Sequence, residues 1–491
     1  MNASAYVLLA PLLTLAGGVL LLMLQIALRR QSALTRALSV MVYGICVLAS
    51  IGAAGGPALQ ITPLLMADSL ALLLCAAFSL SAAVTALLSA KTIAAQSDQP
   101  DEYYLLLMLA TLGACVLVYA NHVASLLLGL ELLAVSLYAL IAYPSRQQRP
   151  AEAATKYLLL SGAATAIMLF GFALLYAATG ALTFSGIGAG LGSTSLVGPM
   201  PLFAAGMVLV GLGFKLAAAP MHLWTPDVYE GAPSPVSGFL ASVAKTAAFI
   251  VLLRFFILAE LYRFPALTEV TALLAVLSMV MGNLLALLQN NIKRMLAYSS
   301  IAHIGYLMII FSAAADPQNR ALASEAAVFY LIAYLPTVLA AFGVVTLLKS
   351  EMNTDSDVDL ESLSGLFWRQ PLLAVLMMVS MLSLAGIPLT AGFIGKLYIF
   401  STAVAGEHWV LLALLLIGTT LGIYYYLRVV YQMTVSTSSP ASGGADTSAA
   451  PMAGNLPLSF TTRVVAVILL TAILALGLLP QTLMHYLKEM F

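Results

Sequence analysis

Residues 202–258 read LFAAGMVLVGLGFKLAAAPMHLWTPDVYEGAPSPVSGFLASVAKTAAFIVLLRFFIL. Two apolar runs, 202–219 and 236–258, flank a polar connector, and each is long enough to cross a hydrocarbon core of about 30 Å. Backbone groups in lipid must be satisfied internally, so such runs are helices and not open strands. The first run ends in Ala217-Ala218-Ala219-Pro220, where proline interrupts the helix and frees backbone groups within the membrane. Each run also carries a lysine, Lys215 or Lys245, where a charge is expensive. This stretch specifies a helical membrane protein with an interrupted span and buried cations.

The pattern extends along the whole chain. Of 491 residues, 62% are hydrophobic and 8% charged, whereas a soluble domain carries about a quarter charged residues. A soluble protein is excluded. Hydropathy marks fourteen spans at 5–28, 37–56, 69–90, 103–120, 122–143, 157–179, 202–219, 236–258, 267–288, 295–313, 325–348, 372–404, 409–431 and 462–482. The expected fold is an all-α polytopic membrane protein. Its twelfth span is interrupted like the seventh, by Gly386-Ile387-Pro388 followed by Thr390-Ala391-Gly392. The N-terminus has no basic segment before its apolar stretch and reads as a retained first span, not a cleaved signal peptide.

Loop lysines and arginines set orientation. The connectors after odd-numbered spans, with nearby span ends, hold Arg29, Arg30, Arg36, Lys91, Arg146, Arg149, Lys156, Lys293, Arg294, Lys349, Arg369, Arg428 and Arg463. The opposite side holds only Arg254, Arg263, Arg320 and Lys488. Both termini are therefore expected to face the periplasm or its equivalent.

Spans 4–8 and 9–13 read as two five-helix units, each with a proline-interrupted helix as its fourth member. An odd helix count inverts the second unit relative to the first, and paired broken helices in inverted repeats are a transporter design. The expected division of the single membrane domain is 1–102 for three leading helices, 103–258 and 259–431 for the repeats, 432–461 for a flexible cytoplasmic loop and 462–491 for the last helix. The Ser/Ala/Gly-rich stretch 436–455 reads as a linker without chemistry, and the acidic stretch 351–361 as a solvated face.

Net charge is zero, so no global field points to nucleic acid. Cys46, Cys75 and Cys115 lie in apolar runs without a CxxC pair and read as inert buried thiols. No haem, iron–sulfur, nucleotide or phosphate-loop motif is visible, nor any His/Glu/Asp spacing suited to a metal. No cofactor is expected on this chain.

The buried ionisable residues point to function. Glu131 is the acidic residue at the centre of a span, a placement costing about 2.5–3.5 kcal/mol; it should face the bundle interior, with Lys215 as its natural partner. The plainer reading is an ion pair that only holds two helices together. Lys245 sits mid-span among small residues, about 15 Å from either interface, too far to snorkel. Lys396 follows the second break, where it can donate to freed carbonyls. His303 lies inside the tenth span with Tyr298, Ser299, Ser300 and Tyr306 around it, suited to a proton relay or simply hydrogen-bonded. His222, beside Pro220 and Trp224, reads as interfacial, structural or at a proton entrance. A series of buried lysines suits proton transfer, because each gains and loses one charge in a tunable low-dielectric setting.

At these residues the sequence resembles a known family. GFKLAAAPMHLWTPDVYEGAPSPVSGFLASVAKTAAF (213–249), LLGLELLAVSLYALIAY (127–143), QNNIKRMLAYSSIAHIGYLMI (289–309) and SLAGIPLTAGFIGKLYIF (383–400) resemble the antiporter-like membrane subunits of respiratory complex I and of Mrp cation/proton antiporters. The TPDVYEGAPSPV loop is more similar to the NuoN branch than to the LPDAH-type loop of other members. Lys396 stands where the NuoM branch uses glutamate, and the sequence stops at the point where a long lateral helix follows in the NuoL branch. The resemblance implies a proton-translocating subunit of NADH:quinone oxidoreductase. Glu131 and Lys215 would be a modulating pair, Lys245 the central relay, His303 the connecting group and Lys396 the terminal donor or acceptor. NADH, FMN, iron–sulfur clusters and quinone would belong to other subunits. The partners would be NuoM-, NuoK- and NuoJ-like membrane-arm subunits and lipid, and the location a bacterial inner membrane. An Mrp-type antiporter subunit and a purely structural membrane-arm subunit are the alternatives.

Overall fold

A computed structural model describes residues 3–56, 58–144, 148–193, 198–352, 358–435 and 458–491. The first half begins with α1 (Ala3–Leu28) and α2 (Ser32–Ala53), then a small antiparallel hairpin of β1 (Leu59–Gln60) and β2 (Met66–Ala67). It continues with α3 (Ser69–Gln96), α4 (Asp101–Tyr119), α5 (Val123–Ile141), α6 (Gln148–Thr179), α7 (Phe184–Ser193), α8 (Pro199–Leu216) and the short α9 (Trp224–Gly231). The eighth crossing is composite: α10 (Ser234–Phe239), a π-helical turn at Leu240–Ala244, and α11 (Lys245–Leu258). The second half holds α12 (Pro265–Leu287), α13 (Ile292–Ala313), α14 (Arg320–Met352), the one-turn α15 (Leu366–Arg369), α16 (Pro371–Ala385), α17 (Ala391–Ala405), α18 (Trp409–Thr434), α19 (Phe460–Leu478) and α20 (Pro480–Lys488).

Thirteen helices among the described residues are long and apolar enough to cross a membrane, and the shorter α16 and α17 together form one interrupted crossing, the fourteenth. The span count read from hydropathy therefore holds. Prolines open α8, α10, α12, α16 and α20, where the missing N–H costs nothing. Asp68 caps α3 by accepting from the Ala71 N–H at 2.8 Å, and Asn291 caps α13 by accepting from Arg294 at 3.1 Å.

Boundaries depart from hydropathy where polar residues extend a helix or proline divides one. α6 starts at Gln148, not 157, because its polar first turns are held outside the apolar window: Lys156 pairs with Glu152 at 2.8 Å and with Asp227 at 3.0 Å. The last span ends at Leu478, and Pro480 starts a separate helix. The short helices α7 and α9 lie in connectors that hydropathy left unassigned. The linker reading for 436–455 falls outside the described residues, as does part of the acidic stretch 351–361.

Span parity is visible in the tertiary contacts. Lys156 and Arg294 meet Asp227, each at 3.0 Å, and Arg294 meets Glu230 at 2.6 Å. Residues flanking the connectors after spans 5, 7 and 9 thus share one end of the bundle. Arg254, at the end of the eighth span, pairs with Asp68, before the third, at 2.6 Å, which joins even-numbered connectors.

Both interrupted crossings break in the same way. α8 is capped by Ala217, in the left-handed conformation (φ 60°), and α16 by Gly386 (φ 81°). The N–H groups of Ala218 and Ile387 turn back to the carbonyls of Gly213 and Leu382 at 2.8 and 3.0 Å. This is the usual way a helix closes its last carbonyls, placed here within a membrane span.

Three crossings form the centre. The most apolar windows of Ser234–Leu258, Ile292–Ala313 and Arg320–Ser350 are 100%, 94% and 89% buried, against 39% for α1 and 33% for α2. In lipid, small residues and van der Waals fit hold such helices together more than any apolar driving force. A Cβ on Gly282 would stand 2.5 Å from the Ala302 nitrogen, and one on Gly305 2.7 Å from that of Met279, so α12 and α13 lie backbone to backbone.

Candidate functional site

Lys215, Lys245, His303 and Lys396 are all buried, at 7%, 1%, 4% and 6% exposure, and Glu131 is half-buried. Each group is held differently, and the differences follow from the helices that carry them.

Lys215 lies one residue before the end of α8. Its Nζ donates to Ser161 Oγ on α6 at 2.7 Å, and Tyr138 OH on α5 donates to the same Ser161 oxygen at 2.7 Å. One turn along α6, Thr165 donates to Glu131 Oε1 at 3.1 Å. The direct Glu131–Lys215 pair expected from the sequence is not formed: among the described residues neither group has an ion-pair partner. Gly171 and Gly211 bring α6 and α8 into close contact, since a Cβ on either would lie within 3.0 Å of the other helix. Carboxylate and ammonium each bond instead to a hydroxyl of α6, the two hydroxyls one turn apart.

Lys245 directly follows the π-helical turn, a feature frequent at functional sites because it re-aims the side chains around it. Its Nζ donates to Ser300 Oγ on α13 at 2.7 Å and lies 5.5 Å from the centre of the Tyr229 ring. Ser300 and His303 are one turn apart on α13. The His303 ring is bound on both nitrogens, by Tyr330 OH at Nδ1 and by Tyr426 OH at Nε2, the latter at 3.0 Å. Tyr426 OH also reaches Ser299. The polar company expected of Ser299, Ser300 and Tyr306 is present, whereas Tyr298 is only half-buried.

Beyond His303 lies a cavity of about 10 Å³ lined by His303, Tyr330, Tyr334, Thr337, Ser383 and Leu384, with Ala333 and Gly392, room for about one water. Leu384, in its lining, also seats Lys396: Nζ donates to the carbonyls of Leu384 and Ala385 at 2.8 and 3.1 Å and sits 5.3 Å from the Tyr306 ring centre. These are the carbonyls that the second break frees. The expectation that Lys396 would donate to unwound backbone is met.

His222 follows the first break and is buried, 3% exposed. With Thr225 and Tyr229 it occupies positions i, i+3 and i+7, one face of the α9 region. All three side chains are buried, and His222 Nδ1, Thr225 Oγ1 and Tyr229 OH have no hydrogen-bond partner among the described residues. This polar stripe ends at the ring beneath Lys245.

At one end of the bundle, Lys293 Nζ donates to the Glu230 and Ala232 carbonyls, both at 2.6 Å, and so closes the C-terminus of α9. Partial burial works against ionising Asp227, but hydrogen bonds from Lys156 and Arg294 outweigh it and hold the carboxyl below its usual range. Cys46, Cys75 and Cys115 are free and buried. Among the described residues no cluster of three or more His, Cys, Asp or Glu is placed to hold a metal.

Several residues of the line were missed in the sequence. Tyr330, Tyr334 and Thr337 stand at i, i+4 and i+7 on α14, and Ser161 and Thr165 at i and i+4 on α6. Polar atoms at helical spacing inside apolar spans were the available signal. Tyr426 and Ser383 carried none, because they join the line only through packing of α16 and α18.

Residues 120–422 match the family described as NADH:quinone oxidoreductase/Mrp antiporter, transmembrane. A chain of respiratory complex I from Thermus thermophilus, solved with bound aureothin, is 33% identical over 97% of this chain and 99% of that one, with a TM-score of 0.79. Two more distant structures share the fold. A chain of the Mrp complex from Dietzia sp. is 21% identical, with 99% and 97% coverage and a TM-score of 0.85. A chain of the membrane-bound sulfane sulfur reductase, an archaeal respiratory membrane complex, is 23% identical, with 100% and 97% coverage and a TM-score of 0.82. An interrupted-helix bundle with buried lysines, matched by family and along its length, places this multi-pass membrane protein in the NADH:quinone oxidoreductase/Mrp antiporter family of membrane subunits.

Proposed function

We propose that the chain is the NuoN-type proton-translocating subunit of an NADH:quinone oxidoreductase, with Glu131, Lys215, Lys245, His303 and Lys396 as its proton-handling groups. One observation carries this reading. The contacts Lys245–Ser300, the α13 turn from Ser300 to His303, the cavity beside His303, and Leu384 at both that cavity and Lys396 form an almost unbroken polar line through the most buried helices. Such a line has no use in holding apolar helices together, which neutral packing does at lower cost. The 33% identity to a complex I chain over nearly full length and the TPDVYEGAPSPV connector support complex I over an Mrp assembly.

In this reading electron transfer occurs on other subunits and shifts electrostatics at Glu131. Glu131 reaches Lys215 through Thr165 and Ser161, so rearrangement of these hydroxyls loosens the hold of Lys215 on its proton. The proton then passes toward Lys245, by way of His303 and water to Lys396, and out on the side holding the termini. Moving one charge against 150–200 mV costs about 3.5–4.6 kcal/mol. A lysine must then change its proton affinity roughly 400- to 2,000-fold per cycle, within the range that burial and a breakable polar partner supply. We assign 103–258 and 259–431 as the two inverted repeats, the bacterial inner membrane as the location with both termini periplasmic, and NuoM-, NuoK- and NuoJ-like subunits as neighbours.

The test is Lys245→Ala in the intact complex. Normal assembly with loss of NADH-driven proton pumping supports the relay; lost assembly alone supports a scaffold. Sodium-driven transport in vesicles that lack NADH oxidation would sink the complex I assignment in favour of an Mrp-type antiporter.

A further inference from the structure

Asn283, one turn before the C-terminal end of α12, has no part in the line described above, yet it is completely buried. An amide inside the membrane must be fully paired or it is costly, and the partners of this one are specific. Its Nδ2 donates to the Met279 carbonyl of its own helix at 2.8 Å and to Tyr306 OH on α13 at 2.9 Å. Its Oδ1 accepts from Tyr425 OH on α18 at 3.2 Å. Tyr306 is the ring beneath the Lys396 ammonium, 5.3 Å away. The Tyr425 ring packs against that of Tyr426 with centroids 4.4 Å apart, and Tyr426 OH binds His303 Nε2.

The surrounding backbone leaves room for this arrangement and little else. A Cβ on Gly418 of α18 would stand 2.7 Å from Asn283 Nδ2 and 2.8 Å from Tyr306 OH. On the opposite side, the neighbouring Gly282 lets α12 close onto Ala302, adjacent to His303. Two glycines thus flank one amide, which ties the tyrosine under Lys396 to Tyr425, the ring packed on the tyrosine that binds His303.

We infer that Asn283 is a positioning residue for proton transfer between His303 and Lys396: it touches neither, but fixes Tyr306, which packs against both, and Tyr425, which packs on the Tyr426 bound to His303. This rests on the function proposed above. Asn283→Leu has similar volume and removes the bonds to both tyrosines. Asn283→Asp is isosteric and, when protonated, restores a donor and an acceptor. Tyr425→Phe removes a single hydroxyl.

The experiment measures NADH-driven proton pumping by the complete complex in sealed vesicles, normalised to assembled complex, with Lys396→Ala as reference. Asn283→Leu is expected to lower pumping roughly three- to tenfold, the scale of one or two lost hydrogen bonds. Asn283→Asp should recover most of it, and Tyr425→Phe should show a smaller loss. Wild-type pumping in Asn283→Leu beside a defective Lys396→Ala overturns the inference and leaves the function standing. Failure of Asn283→Leu to assemble, together with unaltered pumping in Tyr425→Phe, also overturns it, since Asn283 is then only structural. If Lys396→Ala itself pumps normally, the proposed function fails whatever Asn283 does.

Discussion

The ammonium of Lys396 donates a 2.8 Å hydrogen bond to the carbonyl of Leu384, the residue that also lines the cavity beside His303. A helix break does two things at once here. It opens carbonyls that solvate a cation with no ion-pair partner among the described residues, and it places them against the next group in the line.

Gly386 makes that arrangement possible. It holds φ at +81°, and a Cβ there would meet Lys396 Cδ at 2.9 Å, so Gly386→Ala combines backbone strain of about 1 kcal/mol or more with displacement of the lysine. The expected outcome is assembled complex with pumping reduced at least severalfold, read in sealed vesicles. Unchanged pumping would show that the carbonyl seat is dispensable.

Ser161→Ala removes the only side-chain oxygen bonded to the Lys215 ammonium among the described residues. Leaving a buried donor unpaired costs about 1–3 kcal/mol, here set against the charged form of the lysine. If the coupling of Glu131 to Lys215 runs through α6, Ser161→Ala and Thr165→Val combine non-additively in a double-mutant cycle on pumping rate. Additive effects would mean that carboxylate and lysine communicate by another route.

Tyr330→Phe and Tyr426→Phe each free one nitrogen of His303 while keeping the ring volume. Each is expected to slow pumping severalfold, and the pair to approach the effect of His303→Ala, because the imidazole loses the partners that orient it. Wild-type rates in the double variant would remove His303 from the route.

Asp227 ties the first turns of α6 and α13 to α9. Its folded-state carboxyl is held below the ordinary value of 3.8, so its contribution to stability is complete above that value and is lost as pH falls through the lower folded one. Asp227→Asn should therefore lower the thermal midpoint of the purified protein by about 1–2 °C at neutral pH, the scale of a partly exposed ion pair. The gap should close as pH drops below 3.8. A gap that persists in acid would assign the effect to lost packing.

Much of this was legible in the sequence, for a definite reason. In lipid each span must satisfy its own backbone, so helix number and the sites of interruption depend on local composition. Fourteen crossings, the breaks at Pro220 and Gly386–Pro388, and the ionisable residues left inside were readable along the chain. The donation of Lys396 to unwound carbonyls followed from the same logic, because lysine and break are neighbours in sequence.

What only the tertiary structure decided is who meets whom across helices. Side-chain partners at mid-membrane depend on how closely two helices approach, which glycines such as Gly171, Gly211 and Gly282 control and local composition does not report. Packing joined Thr165 to Glu131 and Ser161 to Lys215, buried His222, and gathered Tyr330, Tyr426 and Asn283 around His303 and Lys396. The sequence by itself determined which charges enter the membrane. The fold determined the order in which they are joined, because that order lies in contacts between residues as far as 142 positions apart.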